Sequence, residues 1–324
     1  MIGIKEIASF VPLDGHDNFQ LAQHFGKTEE FVKKRIGGHF LPVIDQELDT
    51  SDIGTKALLN LISKANLKRE DIDCLVVCTQ NPDGNGIPHT SAIIQKKAEL
   101  PKTVAAFDIS LGCSGFVYGL NIVKGFMHAS DLKTGILITA DPYSKIINSK
   151  DPNTAMLFGD AATATLLTSN NSQLNLGPSI YGTDGTGGNA LINKDGLLYM
   201  NGRAVFNFAV QKVCEHIPLL IRKSELLMNE IDCYILHQGS RYLVETIAQR
   251  LGIKEKVIYA MEKTGNTISS SIPLILEQEI NNHRNKTILI SGFGVGFSIG
   301  SMILFRNNVS ATSTPSFPPR RQLS

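Results

Sequence analysis

The chain has 324 residues, 42% hydrophobic and 19% charged, enough to bury one or two cores without disulfides or metals. Its 31 Lys+Arg and 30 Asp+Glu leave a formal charge of +1, which argues against nucleic acid or an anionic membrane as principal partner. Five cysteines, an odd number on so long a chain, exclude a disulfide scaffold and point to free thiols in a reducing, cytoplasmic setting.

In chain order, MIGIKEIASFVPL alternates apolar and polar residues, and neither it nor any later stretch reads as the roughly 18 to 20 apolar residues of a membrane span. The basic run Lys33, Lys34, Arg35 is either a solvated face or a binder of acidic groups. An amphipathic helical stretch ends in Lys68-Arg69-Glu70-Asp71 and leads into the strand-like run from Ile72 to Gln80. Cys74 and Cys78, four apart on that run, share one face and belong to the core. A polar, glycine-rich loop, Asn81 to Gly86, leads to Ile87-Pro88.

The run from Val104 to Ile109 is a strand, and Gly112-Cys113-Ser114-Gly115-Phe116 sets a cysteine between it and a helix running through Val117, Leu120, Val123 and Phe126. This is a nucleophile-elbow pattern. The helix N-terminus would favour the thiolate at Cys113, while the bland alternative is a small buried cysteine at a tight turn. Further on, Ile136 to Thr139 is a strand and Gly159 to Leu167 its antiparallel return. Cys214 and His216 fall on a helix as packing or surface residues.

In the second half, the strand Asp232 to Leu236 ends at His237, followed by a helix from near Ser240. The carboxyl end of such a strand is where open α/β sheets place ligands, although a structural histidine would fit there too. Asn266, in Thr264-Gly265-Asn266-Thr267, precedes another helix and reads either as its cap or as a functional amide. The strand Thr287 to Ile290 leads into Ser291-Gly292-Phe293-Gly294-Val295-Gly296, then the return strand Phe297 to Phe305. The glycine-rich turn lacks the helix of a dinucleotide loop, so it is a tight hairpin or a loop presenting amides to a substrate oxygen. The tail from Asn307, with Arg320-Arg321, is expected to be disordered.

An internal echo organises these pieces. Ile72-Asp73-Cys74-Leu75-Val76 matches Ile231-Asp232-Cys233-Tyr234-Ile235, and Thr134-Gly135-Ile136-Leu137-Ile138 matches Lys286-Thr287-Ile288-Leu289-Ile290, in the same order. Two similar α/β halves with buried strands follow, residues 1–168 and 169–306, with 307–324 as tail.

The ordered set of Gly-Cys113-Ser-Gly-Phe, His237-Gln, Gly-Asn266-Thr with Ser271-Ile-Pro, and Phe293-Gly-x-Gly-Phe resembles the β-ketoacyl-acyl carrier protein synthase III family. Lys27 to Phe31, Phe158-Gly-Asp-Ala-Ala and Thr183-Asp-Gly extend the likeness from Gly3 to about Phe305. The resemblance implies the thiolase fold, two related halves in a five-layered α-β-α-β-α arrangement, assembled as a homodimer. It implies that Cys113 takes an acyl group from an acyl-CoA or other acyl thioester, and that His237 and Asn266 stabilise the enolate of a decarboxylating malonyl-type thioester, possibly on acyl carrier protein. The backbone amides of Cys113 and Val295 would form the oxyanion hole. Phe31 and Arg35 would meet the donor, Phe31 standing where the family commonly has a tryptophan, and Ile87 would reach across the dimer into the neighbour's acyl pocket. No permanently bound cofactor and no metal are implied, and the setting is fatty acid or secondary metabolism. The sequence departs from the family pattern at Gly239-Ser240 and at Val295, within the usual triple glycine. Two competing readings remain: an acyltransferase passing the Cys113-bound group to a small non-malonyl acceptor, and a non-catalytic partner subunit of a heterodimer.

Overall fold

The computed structural model describes residues 2–307. In chain order its elements are β1 (Gly3–Phe10), β2 (Gly15–Asp17), α1 (Asn18–His24), α2 (Glu29–Phe31, continued by a π-helical turn over Val32–Ile36), β3 (Phe40–Pro42), α3 (Thr50–Ala65), β4 (Cys74–Cys78), α4 (Thr90–Lys97), β5 (Ala105–Ile109), α5 (Gly115–Ala129) and β6 (Thr134–Ala140). There follow α6 (Pro152–Ala155), β7 (Ala162–Thr168), β8 (Leu174–Thr183), β9 (Leu191–Lys194), β10 (Leu197–Met200), α7 (Gly202–Lys223), β11 (Cys233–Leu236), α8 (Arg241–Leu251), α9 (Ser271–Glu279), β12 (Thr287–Gly294) and β13 (Ser298–Arg306).

Local chemistry sets these boundaries. Asp49 and Asp52 close a reciprocal capping box at the start of α3, and Asn66 ends that helix in the left-handed region. The Ser240 hydroxyl accepts from the Leu243 amide and starts α8 three residues beyond His237.

The sequence echo is a repeat of topology. In the nine-stranded sheet, ordered β11-β12-β13-β8-β1-β7-β6-β4-β5, the first half runs β4-β6-β7-β1 where the second runs β11-β12-β13-β8. β4 pairs parallel with β6, as β11 does with β12, and each pair is followed by an antiparallel return, β7 or β13. The halves meet where β1 pairs with β8 at Gly3↔Asn175 and Ile4↔Leu174. Beyond β4 lies β5, and its counterpart in the second half is reduced to a single parallel bridge between Tyr234 and Val257.

Alternation along the strands produces three cores and five layers. Cys74, Val76 and Cys78 of β4 face inward with Cys233 and Ile235 of β11, onto α5 and α9 between the half-sheets. Leu75 and Val77 face the other way, onto Ile53, Leu58 and Leu61 of α3. Tyr234 and Leu236 face outward onto α7 and α8. The order is therefore α3/α4, sheet, α5/α9, sheet, α7/α8. Leu120, fully buried on α5, sits at the centre, and Leu120→Ala there would cost about 2–5 kcal/mol.

The strands run slightly differently from expectation: Val104 and Asp232 lie outside them, while β12 continues through the glycine-rich segment to Gly294. Among the described residues α7 is the one helix long and apolar enough to cross a membrane by length and composition, a stretch the sequence reading passed over. It packs as the outer helix of the second half, burying Val213, Ile217 and Leu220. It carries Cys214 and His216 as expected, the latter with Nδ1 3.0 Å from the Ser301 hydroxyl. Asn307, assigned to the tail, is instead tied down: its amide donates to the Gln173 carbonyl (2.8 Å) and its side chain to that of Ser172 (2.8 Å). The remainder of the tail, including Arg320-Arg321, lies outside the described residues.

Candidate active site

The repeat puts corresponding turns at the inner ends of the two central helices. Cys113 lies between β5 and α5, and Asn266 lies between the Val257 bridge and α9, so pseudosymmetry alone brings these distant positions to one place. His237 ends β11 as Thr79 ends β4.

At the first turn, the Gly115 amide donates to the Gly112 carbonyl at 2.7 Å and wraps the chain around Cys113. The end of β12 presses against it. A Cβ on Gly292 would lie 2.5 Å from the Cys113 carbonyl oxygen, and one on Gly294 would lie 2.7 Å from Sγ, so side chains are excluded at both positions. The backbone N–H groups of Val295 and Cys113 both bear on the sulfur. The glycine-rich segment is thus both a hairpin and the source of one of the two amides at the Cys113 sulfur. The thiolate expected at Cys113 is not the resting state: complete burial pushes the thiol up to about 12, and desolvation outweighs the two amides that favour the charge.

His237 is buried between halves of the site, its backbone amide still paired to the Ser291 carbonyl of β12 (2.9 Å) and its ring edge-on to Phe293 (5.6 Å between centroids). Nδ1 is 2.7 Å from the Ser271 hydroxyl. Desolvation drives the imidazole down to about 3 against the opposing pull of the Ile268 carbonyl, so the ring is neutral at physiological pH and carries one N–H.

Asn266 does not cap the following helix, whose N-cap is Ser270. Its backbone clips the turn to the first half, donating to the Leu157 carbonyl (2.9 Å) and accepting from Gly159 (3.1 Å). Its Oδ1 accepts from the Ile268 amide at 3.0 Å, which fixes the orientation of the carboxamide and leaves Nδ2 without a protein partner among the described residues. Ile268 itself takes φ +51°, a left-handed conformation that costs a β-branched residue about 1–3 kcal/mol.

Cys113, His237 and Asn266 line a single cavity of about 390 Å³ whose walls include Tyr143, Leu157 and Phe158, with Phe31 and Arg35 also on its lining. Of the basic run only Arg35 reaches the cavity; Lys33 and Lys34 pair with Glu29 (3.0 Å) and Glu30 (2.6 Å) on the exposed face. Ile87 does not line it and is 86% exposed. Three features escaped the sequence reading. The Arg35 guanidinium lies 4.0 Å over the Tyr242 ring, which stacks in turn on Phe206 at 5.3 Å and 10°. Ser271 was visible only as part of a motif, not as the partner of His237. Asp141, fully buried, receives the Gln80 amide (2.7 Å) and hydroxyls of Thr79 (3.2 Å) and Ser269.

Comparison with known proteins finds relatives that match nearly the whole length of the chain. Residues 107–185 match the family described as 3-oxoacyl-[acyl-carrier-protein (ACP)] synthase III, and residues 221–305 match its C-terminal part. The chain is 34% identical to a beta-ketoacyl-[acyl-carrier-protein] synthase III of Streptococcus mutans, over 93% of this chain and 98% of that protein. It is 35% identical to one of Staphylococcus aureus, over 94% and 98%. The crystal structure of 3-oxoacyl-[acyl-carrier-protein] synthase III from Aquifex aeolicus superposes with a TM-score of 0.87 at 28% identity, covering 94% of this chain and all of that one, 100%.

Proposed function

The chain belongs to the 3-oxoacyl-[acyl-carrier-protein] synthase III family of condensing enzymes, and from that premise we propose that Cys113, His237 and Asn266 divide a two-step acyl transfer and decarboxylative condensation between them. The observation that carries this reading is the convergence on one cavity of a sulfur, a neutral imidazole and a carboxamide Nδ2 with no protein partner among the described residues.

In the first step the Cys113 sulfur gives up its proton and attacks the carbonyl carbon of an acyl-CoA or other acyl thioester. The carbon–sulfur bond to the carrier breaks, the carrier leaves as a thiol with the proton, and an acyl-Cys113 thioester remains. The Val295 and Cys113 amides receive the oxyanion. In the second step a malonyl-type thioester loses carbon dioxide, and the electron pair of the broken C–C bond passes into an enolate. The enolate oxygen accepts hydrogen bonds from His237 Nε2 and Asn266 Nδ2. The enolate carbon attacks acyl-Cys113, a C–C bond forms, the C–S bond breaks, and sulfur recovers a proton. A β-ketoacyl thioester is released. Two fixed donors act where charge develops, and one lost donor at comparable sites costs about 10²- to 10³-fold.

Arg35, Tyr242 and Phe206 form a planar, cationic surface suited to the nucleotide end of a CoA donor. The native unit is a homodimer. β5 is a terminal strand of the sheet with all five residues partly exposed, an edge that a second copy would cover, and Ile87 projects free of its own chain as a side chain for the neighbour's pocket would.

Incubation with a panel of acyl-CoAs, with mass measured on the Cys113 peptide, followed by addition of malonyl thioester and measurement of carbon dioxide, tests the proposal. Acylation of Cys113 and then decarboxylation are expected. Acylation with no decarboxylation by any malonyl thioester would replace condensation by simple acyl transfer.

A further inference from the structure

Three consecutive serines follow Ile268, and each buried hydroxyl is bonded to a group outside the turn. Ser269 donates to the carboxylate of Asp141, just beyond β6. Ser270 lies 2.8 Å from Thr139 Oγ1, which is 2.7 Å from Thr163 Oγ1 on β7. Ser271 lies 2.7 Å from His237 Nδ1 in the second half. The three hydroxyls therefore bolt the turn bearing Asn266 to the ends of two first-half strands and to His237 at once.

This placement answers a question raised by the turn itself. Ile268, whose amide holds Asn266 Oδ1, is itself kept at φ +51°. A bulky residue stays there only where its surroundings over-determine the backbone. The restraint immediately downstream is Ser269, whose carboxylate partner is buried and fixed from its far side by the Gln80 amide at 2.7 Å and the Thr79 hydroxyl at 3.2 Å. Thr79 and Gln80 follow β4 and Asp141 follows β6, so the anchor is rigid sheet rather than loop.

We propose that Asp141 and Ser269 are positioning residues for the second half-reaction: the buried carboxylate holds the turn through Ser269 and thereby keeps the Asn266 carboxamide aimed at the enolate oxygen. This inference rests on the function proposed above. Neither residue lines the cavity, so neither touches substrate. Burial holds Asp141 above the usual carboxylate range, at about 6, so at neutral pH it remains a charged acceptor for both hydroxyls.

The decisive variants are Ser269→Ala and Asp141→Asn in the full chain, each read for two rates. Carbon dioxide release from malonyl thioester should fall about 10- to 100-fold, the cost of a small misplacement of a catalytic group, with Cys113 acylation by acyl-CoA within about twofold of wild type. Hydrogen exchange of the 264–271 amides should rise in Ser269→Ala, with the α5 amides unchanged. Should Asp141→Asn fail to fold, Ser269→Ala decides alone, because it leaves the backbone bonds of the turn in place. Unchanged decarboxylation, or a parallel fall in both rates, overturns the proposal. If the wild-type protein itself releases no carbon dioxide, the fault lies with the proposed function; the anchoring role is then judged by exchange, and unchanged exchange at 264–271 overturns it.

Discussion

The Ser271 hydroxyl stands 2.7 Å from Nδ1 of His237 and 3.1 Å from the Ile268 carbonyl, and the direction of its single hydrogen sets which imidazole nitrogen is protonated. Turned toward Nδ1, it leaves the proton on Nε2, which can then donate to an enolate oxygen. Turned toward Ile268, it accepts from Nδ1–H and leaves Nε2 a bare acceptor. Ser271→Ala removes the first arrangement, and with it the donor that keeps the proton on Nε2. Decarboxylation in Ser271→Ala should fall about 10²- to 10³-fold, as if the donor were missing, while Cys113 is still acylated. Carbon dioxide release at the wild-type rate would contradict the tautomer assignment.

Burial governs the reactivity of the Cys113 thiol. With the Cys113 thiol pushed up to about 12, the thiolate is a minor species throughout the working range. Iodoacetamide labelling of Cys113 in the free enzyme, followed by peptide mass, should therefore climb about tenfold per pH unit from pH 7 to 10 without levelling. The sign follows from the raised pKa, since the reactive form grows with pH until pH passes the thiol's own pKa. A plateau near pH 8 would mean that the helix terminus and the two amides outweigh desolvation after all.

The rim stack separates binding from chemistry. Tyr242 is pinned between the Arg35 guanidinium and Phe206 and does not line the cavity that Cys113 lines. In Tyr242→Ala the guanidinium loses its platform, and KM for acyl-CoA should rise about tenfold, equivalent to about 1.4 kcal/mol, with kcat unchanged. The same change tested with an acyl group on a carrier protein, which lacks the nucleotide, should move KM far less. Equal effects on both donors would take the stack out of nucleotide recognition.

How much of this was readable from the residues alone depends on the distance over which each feature is determined. The strands β4, β6, β11 and β12 were legible because burial on both faces writes itself as short apolar runs, and the echo of Ile72 in Ile231 carried the repeat of topology with it. Cys113, His237 and Asn266 were legible as types at strand and helix ends. Their company was not. The Arg35–Tyr242–Phe206 stack joins three elements with no spacing in common, and the Asp141–Ser269 bond crosses from one half to the other. The charge state of Cys113 departs from the sequence expectation for the same reason: a helix terminus is local and visible in sequence, whereas desolvation depends on everything packed around the sulfur.

Close packing makes Gly294 the most direct test of the oxyanion geometry. In Gly294→Ala the new Cβ would fall 2.7 Å from Cys113 Sγ and 2.9 Å from its Cβ, so either the nucleophile or the end of β12 must move. If β12 yields, the Val295 amide leaves the sulfur; if Cys113 yields, the sulfur leaves both amides. Either way acylation should fall by about 10²-fold or more, the loss expected for one oxyanion donor or for about 1 Å of misplacement. Thermal unfolding checks that the variant remains folded. Rapid acylation in a folded Gly294→Ala protein would mean that the amides of Cys113 and Val295 are not the groups that receive the oxyanion.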